Sequence, residues 1–437
     1  MIEPLPARHV SIITAASFIV ASMVGTGVFT SLGFQLISIQ SVFPILMLWV
    51  VGGIIAFCGA LSYSELVTAL PRSGGEYQLL SRILHPSIGF GAGIVSSTVG
   101  FTAPAVLAAM AFGSYLSVVI TGLNQMMTTI IVITFFHVLH MRSVKWGTSF
   151  QNTSTLIKIV LIVIFIVFGA LSEASQPISI VPKIGDGLAL LSSGFAVSLV
   201  WVSYAYTGWN SVIYIAGEVR DPNNNISRSM FLSTGIVMLL YILLNYIFLY
   251  TAPISSLIGV VDVGYISGTQ IFGDVGGKVI GIGISILLLS TVSSYVYIGP
   301  RIIQIMGEDH SFLKLLKIKN ADDIPLNAFW LQLLLSYLFI LTASFEQVLV
   351  YAGISLIITS TLTVFSLFIL RIKEPDLHRP YKVWGYPFIP LIFLIVNIWI
   401  IFYSIMETPF ESLIGIGIIL LSTLSFFIIP KFIKSSP

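Results

Sequence analysis

Residues Trp201–Ser229 read WVSYAYTGWNSVIYIAGEVRDPNNNISRS. The stretch begins as an apolar helix and is interrupted at Thr207-Gly208-Trp209-Asn210. It resumes through Ala216 and ends in a charged turn, Glu218 to Pro222. Within a membrane such a break needs an explanation. Backbone N–H and C=O groups freed in hydrocarbon are costly, so a break survives only where protein, water or a ligand satisfies them. The interruption therefore marks a candidate binding site.

The membrane itself follows from composition. The 437 residues are 56% hydrophobic and 9% charged, with mean hydropathy +1.01; a soluble domain carries about 25% charged residues. The chain is expected to be an all-α polytopic membrane protein. A window of about 20 apolar residues per span gives twelve transmembrane helices: 11–36, 42–67, 86–119, 125–141, 151–171, 190–217, 228–250, 276–305, 327–343, 347–371, 386–405 and 412–430. The third and eighth are long enough to predict steep tilt or extension past the bilayer. The first apolar run leads into Gly25-Thr26-Gly27 without a signal-peptide cleavage site, so it reads as a retained span.

Lys and Arg set the orientation. With both termini cytoplasmic, seventeen of them fall inside, among them Arg8, Arg72, Arg142, Lys145, Arg228, Arg371, Lys431 and Lys434. Lys183 and Lys278 fall outside, and Lys158 lies within or at the edge of a span. The expected location is the cell membrane. The lone Cys58 excludes an intramolecular disulfide and a cysteine-based metal site. It reads as mid-membrane, so no accessory subunit joined by an external disulfide is expected. In the third span, Gly89-Phe90-Gly91-Ala92-Gly93 with Ser96 and Ser97 reads as a helix-packing face.

A second break, Gly25-Thr26-Gly27, interrupts the first span. Glycine inside a helix costs about 1 kcal/mol relative to alanine. The two breaks open two five-helix groups, spans 1–5 and 6–10, and five is odd, so the groups would lie in the membrane with opposite topology. Interrupted segments at matching places in two halves point to a transporter site. The half-helix start at Gly27-Val28 offers N–H groups and a positive dipole end to an anion. Carbonyls around Tyr204 to Thr207 would accept from an ammonium. Together they describe a site for an α-amino acid.

These residues resemble the amino acid–polyamine–organocation transporters, and within them the L-type and related bacterial amino-acid permeases. The resemblance is carried by Gly25-Thr26-Gly27-Val28-Phe29, by Tyr63-Ser64-Glu65-Leu66 with Pro71 to Tyr77 (PRSGGEY), and by Tyr206 to Asn210. Gly217 to Pro222, Gly299-Pro300-Arg301 and Arg371 to Pro390 complete it. It implies a leucine-transporter-like fold of two inverted five-helix repeats, residues 1–175 and 176–372, plus two peripheral helices in 373–437. It implies substrate held at mid-membrane and moved by alternating access. Thr26, Gly27 and Val28 would hold the carboxylate; Met23, Tyr204, Ala205 and Thr207 would hold the amine. Tyr204 would also be an aromatic gate, with Asn210, Ser293 and Tyr295 around the side-chain pocket. Thr207 stands where L-type relatives for large substrates have glycine, which points to small neutral L-amino acids.

Lys158 is followed by thirteen residues without charge. It reads either as a lysine snorkelling to the interface or as a cation fixed in the bundle, where a mid-span Lys costs about 2.5–3.5 kcal/mol. By resemblance it stands in for a sodium ion, bridging the first and fifth helices. Transport would then be sodium-independent and either proton-coupled or an exchange.

Glu65 and Glu76 flank one charged turn, and Glu218, Arg220, Asp221 and Arg228 flank another. They read as solvated turn residues or, for Glu65, Arg72, Glu218 and Arg228, as a cytoplasmic gate. His137 and His140 read as interfacial residues, and Asn245 as an interhelical hydrogen-bonding group. No cofactor, metal or nucleic acid is expected, and Gly273 to Lys278 does not match a phosphate-binding loop. The alternatives are a polyamine or cationic amino-acid permease, disfavoured because the broken helices carry no acidic residue, and a channel. A membrane-embedded enzyme would need a catalytic cluster that the spans lack.

Overall fold

The computed structural model describes the backbone of residues 10–434 apart from 73, 143, 144, 174 and 323, and their side chains except at 145–155 and 429–434. Arg8, Ser73 and the side chains of Lys145, Lys431 and Lys434 lie outside the described residues.

The chain is helical from end to end. Its first span is two helices, α1 (Ile12–Met23) and α2 (Gly27–Ser38), followed by α3 (Val42–Ala69). The short amphipathic α4 (Gly75–Ile83) precedes α5 (Pro86–Val95), a π-helical turn (Ser96–Thr102) and α6 (Ala103–Val119). Then come α7 (Gln125–Arg142), α8 (Lys145–Ala170) and the single turn α9 (Asp186–Ala189). The second broken span is α10 (Ser193–Tyr206) and a 3-10 segment (Ser211–Glu218). After it stand α11 (Pro222–Thr251), a short α12 (Ile254–Leu257), α13 (Val263–Asp309), α14 (Leu326–Thr342), α15 (Phe345–Lys373), α16 (Phe388–Glu407) and α17 (Pro409–Lys434). Among the described residues eight helical segments are long and apolar enough to cross a membrane, with shorter apolar helices at Leu156–Ala170 and Leu326–Thr342. This is an integral, multi-pass membrane protein.

Local chemistry sets the helix ends. Ser11 caps α1 by accepting from the Thr14 N–H, and Ser192 caps α10 by accepting from Phe195 N–H, each at 3.2 Å. Pro86 and Pro222 sit in the first turns of α5 and α11, where a missing N–H costs nothing. The π-helical turn just precedes Pro104. Proline cannot donate to the carbonyl of Gly100 and its ring crowds that oxygen, so the helix widens there. Within α13, Gly273 has φ 72° and ψ 179°; the chain breaks there into helices 263–272 and 274–309.

The small-residue face of α5 is close-packed. A Cβ on Gly89 would fall 1.8 Å from Ser81 Oγ in α4, on Gly91 2.4 Å from Thr423 in α17, and on Gly93 2.7 Å from Met306 in α13. At the centre of the bundle α11 packs on α1 and α3, α10 on α2, and α13 on α6. This arrangement encloses both breaks.

Two expectations are corrected here. His137 and His140 are buried, not interfacial, because their face of α7 turns toward α13 and α14: His140 Nε2 lies 2.9 Å from Ser293 Oγ, and the His137 ring meets Phe329 edge-on. Asn245 donates to the Tyr241 carbonyl at 2.9 Å, a bond within α11 and not between helices.

Candidate functional site

The two breaks are 183 residues apart in sequence and touch in space. A Cβ built on Gly27 would lie 2.4 Å from Ala205 Cα, and one on Gly208 would lie 2.7 Å from the Ser22 carbonyl carbon. Hydrogen is the only side chain that fits at either place. Gly208 also has φ +108°, a conformation that disfavours every L residue.

Side chains from neighbouring helices hold the carbonyls released by the breaks. The Tyr241 hydroxyl of α11 donates to the Met23 carbonyl at 2.6 Å and stands 3.3 Å from the Ala205 carbonyl. The Tyr295 hydroxyl of α13 donates to the Ser22 carbonyl at 3.1 Å. On the second break, Thr207 Oγ1 donates to the Ser203 carbonyl at 3.2 Å and Thr207 N–H to the Tyr204 carbonyl at 3.0 Å. The start of α2 has no capping side chain, since Thr26 stands at the N-cap without a capping hydrogen bond. Its first N–H groups and dipole end remain suited to an anion.

Beside this crossing lies a cavity of about 90 Å³, room for several waters or one small solute. Tyr204, Thr207, Asn210 and Tyr295 line it, together with Ser22, Thr291, Ser294 and Glu76. Met23, Thr26, Val28 and Ala205 are each 3% exposed or less and lie behind that wall, as does the buried Gly27. Ser293 turns toward His140 while its neighbour Ser294 lines the cavity. Trp209 contributes to the wall and meets Tyr63 edge-on at 4.8 Å, whereas Trp201 stacks on Phe34 at 4.6 Å.

Lys158 does not snorkel. It is 1% exposed, and its Nζ donates to Thr291 Oγ1 at 2.8 Å. Thr291 Cγ2 in turn lies 3.4 Å from where a Gly25 Cβ would be. The ammonium thus reaches the first break through α13, by way of a residue that also faces the cavity.

At the end of the bundle carrying α4 stand the four residues expected as a gate, Glu65, Arg72, Glu218 and Arg228. Glu65 is fully buried, not solvated. Arg371 Nε and Nη2 donate to it at 2.8 and 2.6 Å, Arg379 Nε lies 3.4 Å away, and Val383 N–H donates at 2.8 Å. Arg72 lies 3.6 Å from Asp309, which also accepts from Tyr77 at 2.8 Å and Gln78 at 3.1 Å. The Glu218 carbonyl accepts from Val10 N–H at 3.0 Å, and Arg228 is exposed. Glu76 is buried as well. Its Oε1 accepts from the Tyr63 hydroxyl at 2.5 Å and from Asn210 Nδ2 at 3.1 Å.

Sequence reasoning missed Tyr241 and Thr291, whose residue types carry no signal inside an apolar helix, and it placed Glu76 in a solvated turn. That carboxylate could have been singled out, because it lies between a double glycine and an aromatic residue in a helix too short to span.

The chain matches the model of a family described as amino acid permease over residues 10–429. It is 26% identical to the serine/threonine exchanger SteT of Bacillus subtilis (strain 168), covering 88% of each chain. It is 24% identical to the b(0,+)-type amino acid transporter 1 of Mus musculus, covering 98% of this chain and 88% of the relative. It is 25% identical to the cystine/glutamate transporter of Homo sapiens, over 95% of this chain and 83% of the relative.

Proposed function

This chain belongs to the amino acid permease family, and from that premise we propose that it is a secondary active transporter of small neutral L-amino acids working by alternating access. The observation that carries this reading is the crossing of two interrupted helices beside a small cavity, Gly27 on Ala205 and Gly208 on Ser22. The uncapped start of α2 at Thr26, Gly27 and Val28 receives the carboxylate. The carbonyls of Met23, Tyr204 and Ala205, with Thr207, receive the ammonium. The cavity walls at Tyr204, Thr207, Asn210 and Tyr295 surround the side chain, and Ser293 supports that wall through α13. Thr207 brings a branched side chain where glycine would leave room, which favours alanine, serine or glycine over larger substrates.

The architecture proposed for this work is twelve spans in two inverted groups of five, 1–175 and 176–372, followed by two peripheral helices. Among the described residues eight segments meet the length and composition of a span unaided; the remaining four of the proposed twelve are α7, α8, the broken α10 segment and α14. The clustering of Arg72, Arg82, Arg371 and Lys373 at the α4 end supports a cytoplasmic face there. Both termini would be cytoplasmic and the membrane the cell membrane. Lys158 is bonded to Thr291, the neighbour of Gly25 in the first break, and so stands where a coupling cation would, which favours sodium-independent transport, as proton symport or exchange. Buried Cys58, 7% exposed, favours a protein that works without a disulfide-linked partner.

The test is a thermal-shift screen of the twenty amino acids on purified protein, followed by counterflow of labelled alanine into proteoliposomes. Stabilisation by small neutral amino acids and saturable counterflow are expected. A conductance that does not saturate with amino acid would instead mark a channel.

A further inference from the structure

We propose that Glu76 is the residue through which a proton enters the transport cycle, its carboxyl taking up the proton as α4 seats under the cavity and releasing it as α4 withdraws. The proposal rests on the transport reading above and names the group that couples it to pH.

Two carboxylates are buried at this end of the bundle, and their surroundings differ in kind. Glu65 is matched by two guanidinium groups, Arg371 and Arg379, so its charge is compensated where it stands. Glu76 is 3% exposed, and among the described residues no Lys, Arg or His forms an ion pair with it. The groups facing it are neutral. Tyr63 reaches it from α3, Asn210 from the second break and Tyr214 from the 3-10 segment, whose ring packs on Gly75; Ser96 of the π-helical turn stands behind Tyr214 at 3.3 Å. A buried carboxylate with neutral partners is costly as an anion and settles as an acid. Burial pushes the Glu76 carboxyl up to about 7, with the Tyr63 and Asn210 hydrogen bonds holding it from rising further.

The geometry ties that proton to the site. Oε1 already accepts from both Tyr63 and Asn210, so the proton goes to Oε2. Asn210 belongs to the interrupted helix and lines the cavity, as Glu76 itself does. On the far side of α4, Asp309 clasps Arg72, Tyr77 and Gln78, and Lys373 Nζ donates to the Ile83 carbonyl at 3.2 Å. These tethers, part-buried at Tyr77 and Ile83, give α4 a fixed edge about which its Glu76 side can lift.

The direction with pH follows. The seated state holds the proton up to about 7, whereas a hydrated Glu76 releases it near 4.5, the ordinary value for a glutamate. Between those values each lifting of α4 releases a proton, and the seated-to-lifted ratio falls by about tenfold per pH unit as pH rises. Above about 7 both states are ionised and the ratio is flat.

The test uses full-length protein in proteoliposomes. Wild-type alanine counterflow is expected to change across about pH 5 to 7 and to level off above. Glu76→Gln, a neutral mimic of the protonated acid, is expected to lose that dependence, and Tyr63→Phe to move the midpoint upward by removing a donor to the anion. Difference infrared spectroscopy needs no transport: a protonated-carboxyl band should fade as pH rises through about 7 and be absent from Glu76→Gln. An unchanged pH profile in Glu76→Gln, or the absence of that band at acidic pH, would overturn the proposal. So would loss of lysine or ornithine binding in Glu76→Gln, since Glu76 would then be reading a cationic side chain. Failure of wild-type counterflow at every pH would instead overturn the transport reading and leave the infrared arm to decide on Glu76.

Discussion

Gly27 lies against Ala205 so closely that a methyl group on the glycine would sit 2.4 Å from the alanine Cα. The contact joins the start of α2 to the end of α10, and it fixes how the two half-helix ends face one another.

The first prediction uses the difference between glycines in that contact. Gly27→Ala and Gly208→Ala both force backbone apart, and overpacking of this kind costs about 1–3 kcal/mol or more. Gly25→Ala meets Thr291 Cγ2 at 3.4 Å and the Met23 carbonyl oxygen at 3.9 Å, both ordinary contacts. Counterflow should be abolished in the first two variants and retained in the third, with thermal midpoints falling in the same order. Equal behaviour of all three would show that the crossing is not the site.

Lys158 supplies the second. Its ammonium is buried and donates to Thr291, a charged hydrogen bond worth about 1.5–3 kcal/mol. Lys158→Ala should leave a folded protein whose uptake falls by at least about tenfold, and Thr291→Val should weaken it in the same direction. Normal proteoliposome uptake by Lys158→Ala would remove the lysine from the mechanism.

Tyr241 gives a third. Its hydroxyl holds the Met23 carbonyl and approaches that of Ala205, the pair assigned to the substrate ammonium. Without it the carbonyls lose their orientation, and a lost hydrogen bond of about 1 kcal/mol corresponds to an apparent KM raised roughly five-fold. Tyr241→Phe with an unchanged KM would place the amine elsewhere.

Most of the span pattern was legible in the sequence because apolar length is read directly: α3 and α5 to α6 begin and end within two residues of where the hydropathy predicts. The two breaks were legible for the same reason, as punctuation in apolar runs. What escaped was structure without such a signal. Helix α4 is nine residues with an amphipathic pattern, too short to span, and its glutamate looked like part of a turn. Glu65 gave the same appearance because its partners Arg371 and Arg379 are about three hundred residues away. Ser293 and Ser294 differ by one position, yet one step along a helix turns a side chain by about 100°, and sequence alone does not say which faces the cavity.

Thr207 separates substrate size from substrate class. Its side chain lines the cavity and is bonded to the Ser203 carbonyl. Thr207→Gly should widen the pocket and shift competition from alanine and serine toward larger neutral amino acids. One methylene-sized change is worth about 1–3 kcal/mol, so the ratio of inhibition by leucine to inhibition by alanine should rise at least about tenfold. An unchanged ratio would place size selection elsewhere in the wall.

The central claim is that the crossing of the two breaks binds and moves an amino acid, and counterflow of labelled alanine into proteoliposomes loaded with unlabelled alanine tests it most directly. The account predicts transient, saturable accumulation without sodium, competed by serine and glycine and lost in Gly27→Ala. No accumulation of alanine, together with failure of all twenty amino acids to stabilise the purified protein, would contradict it.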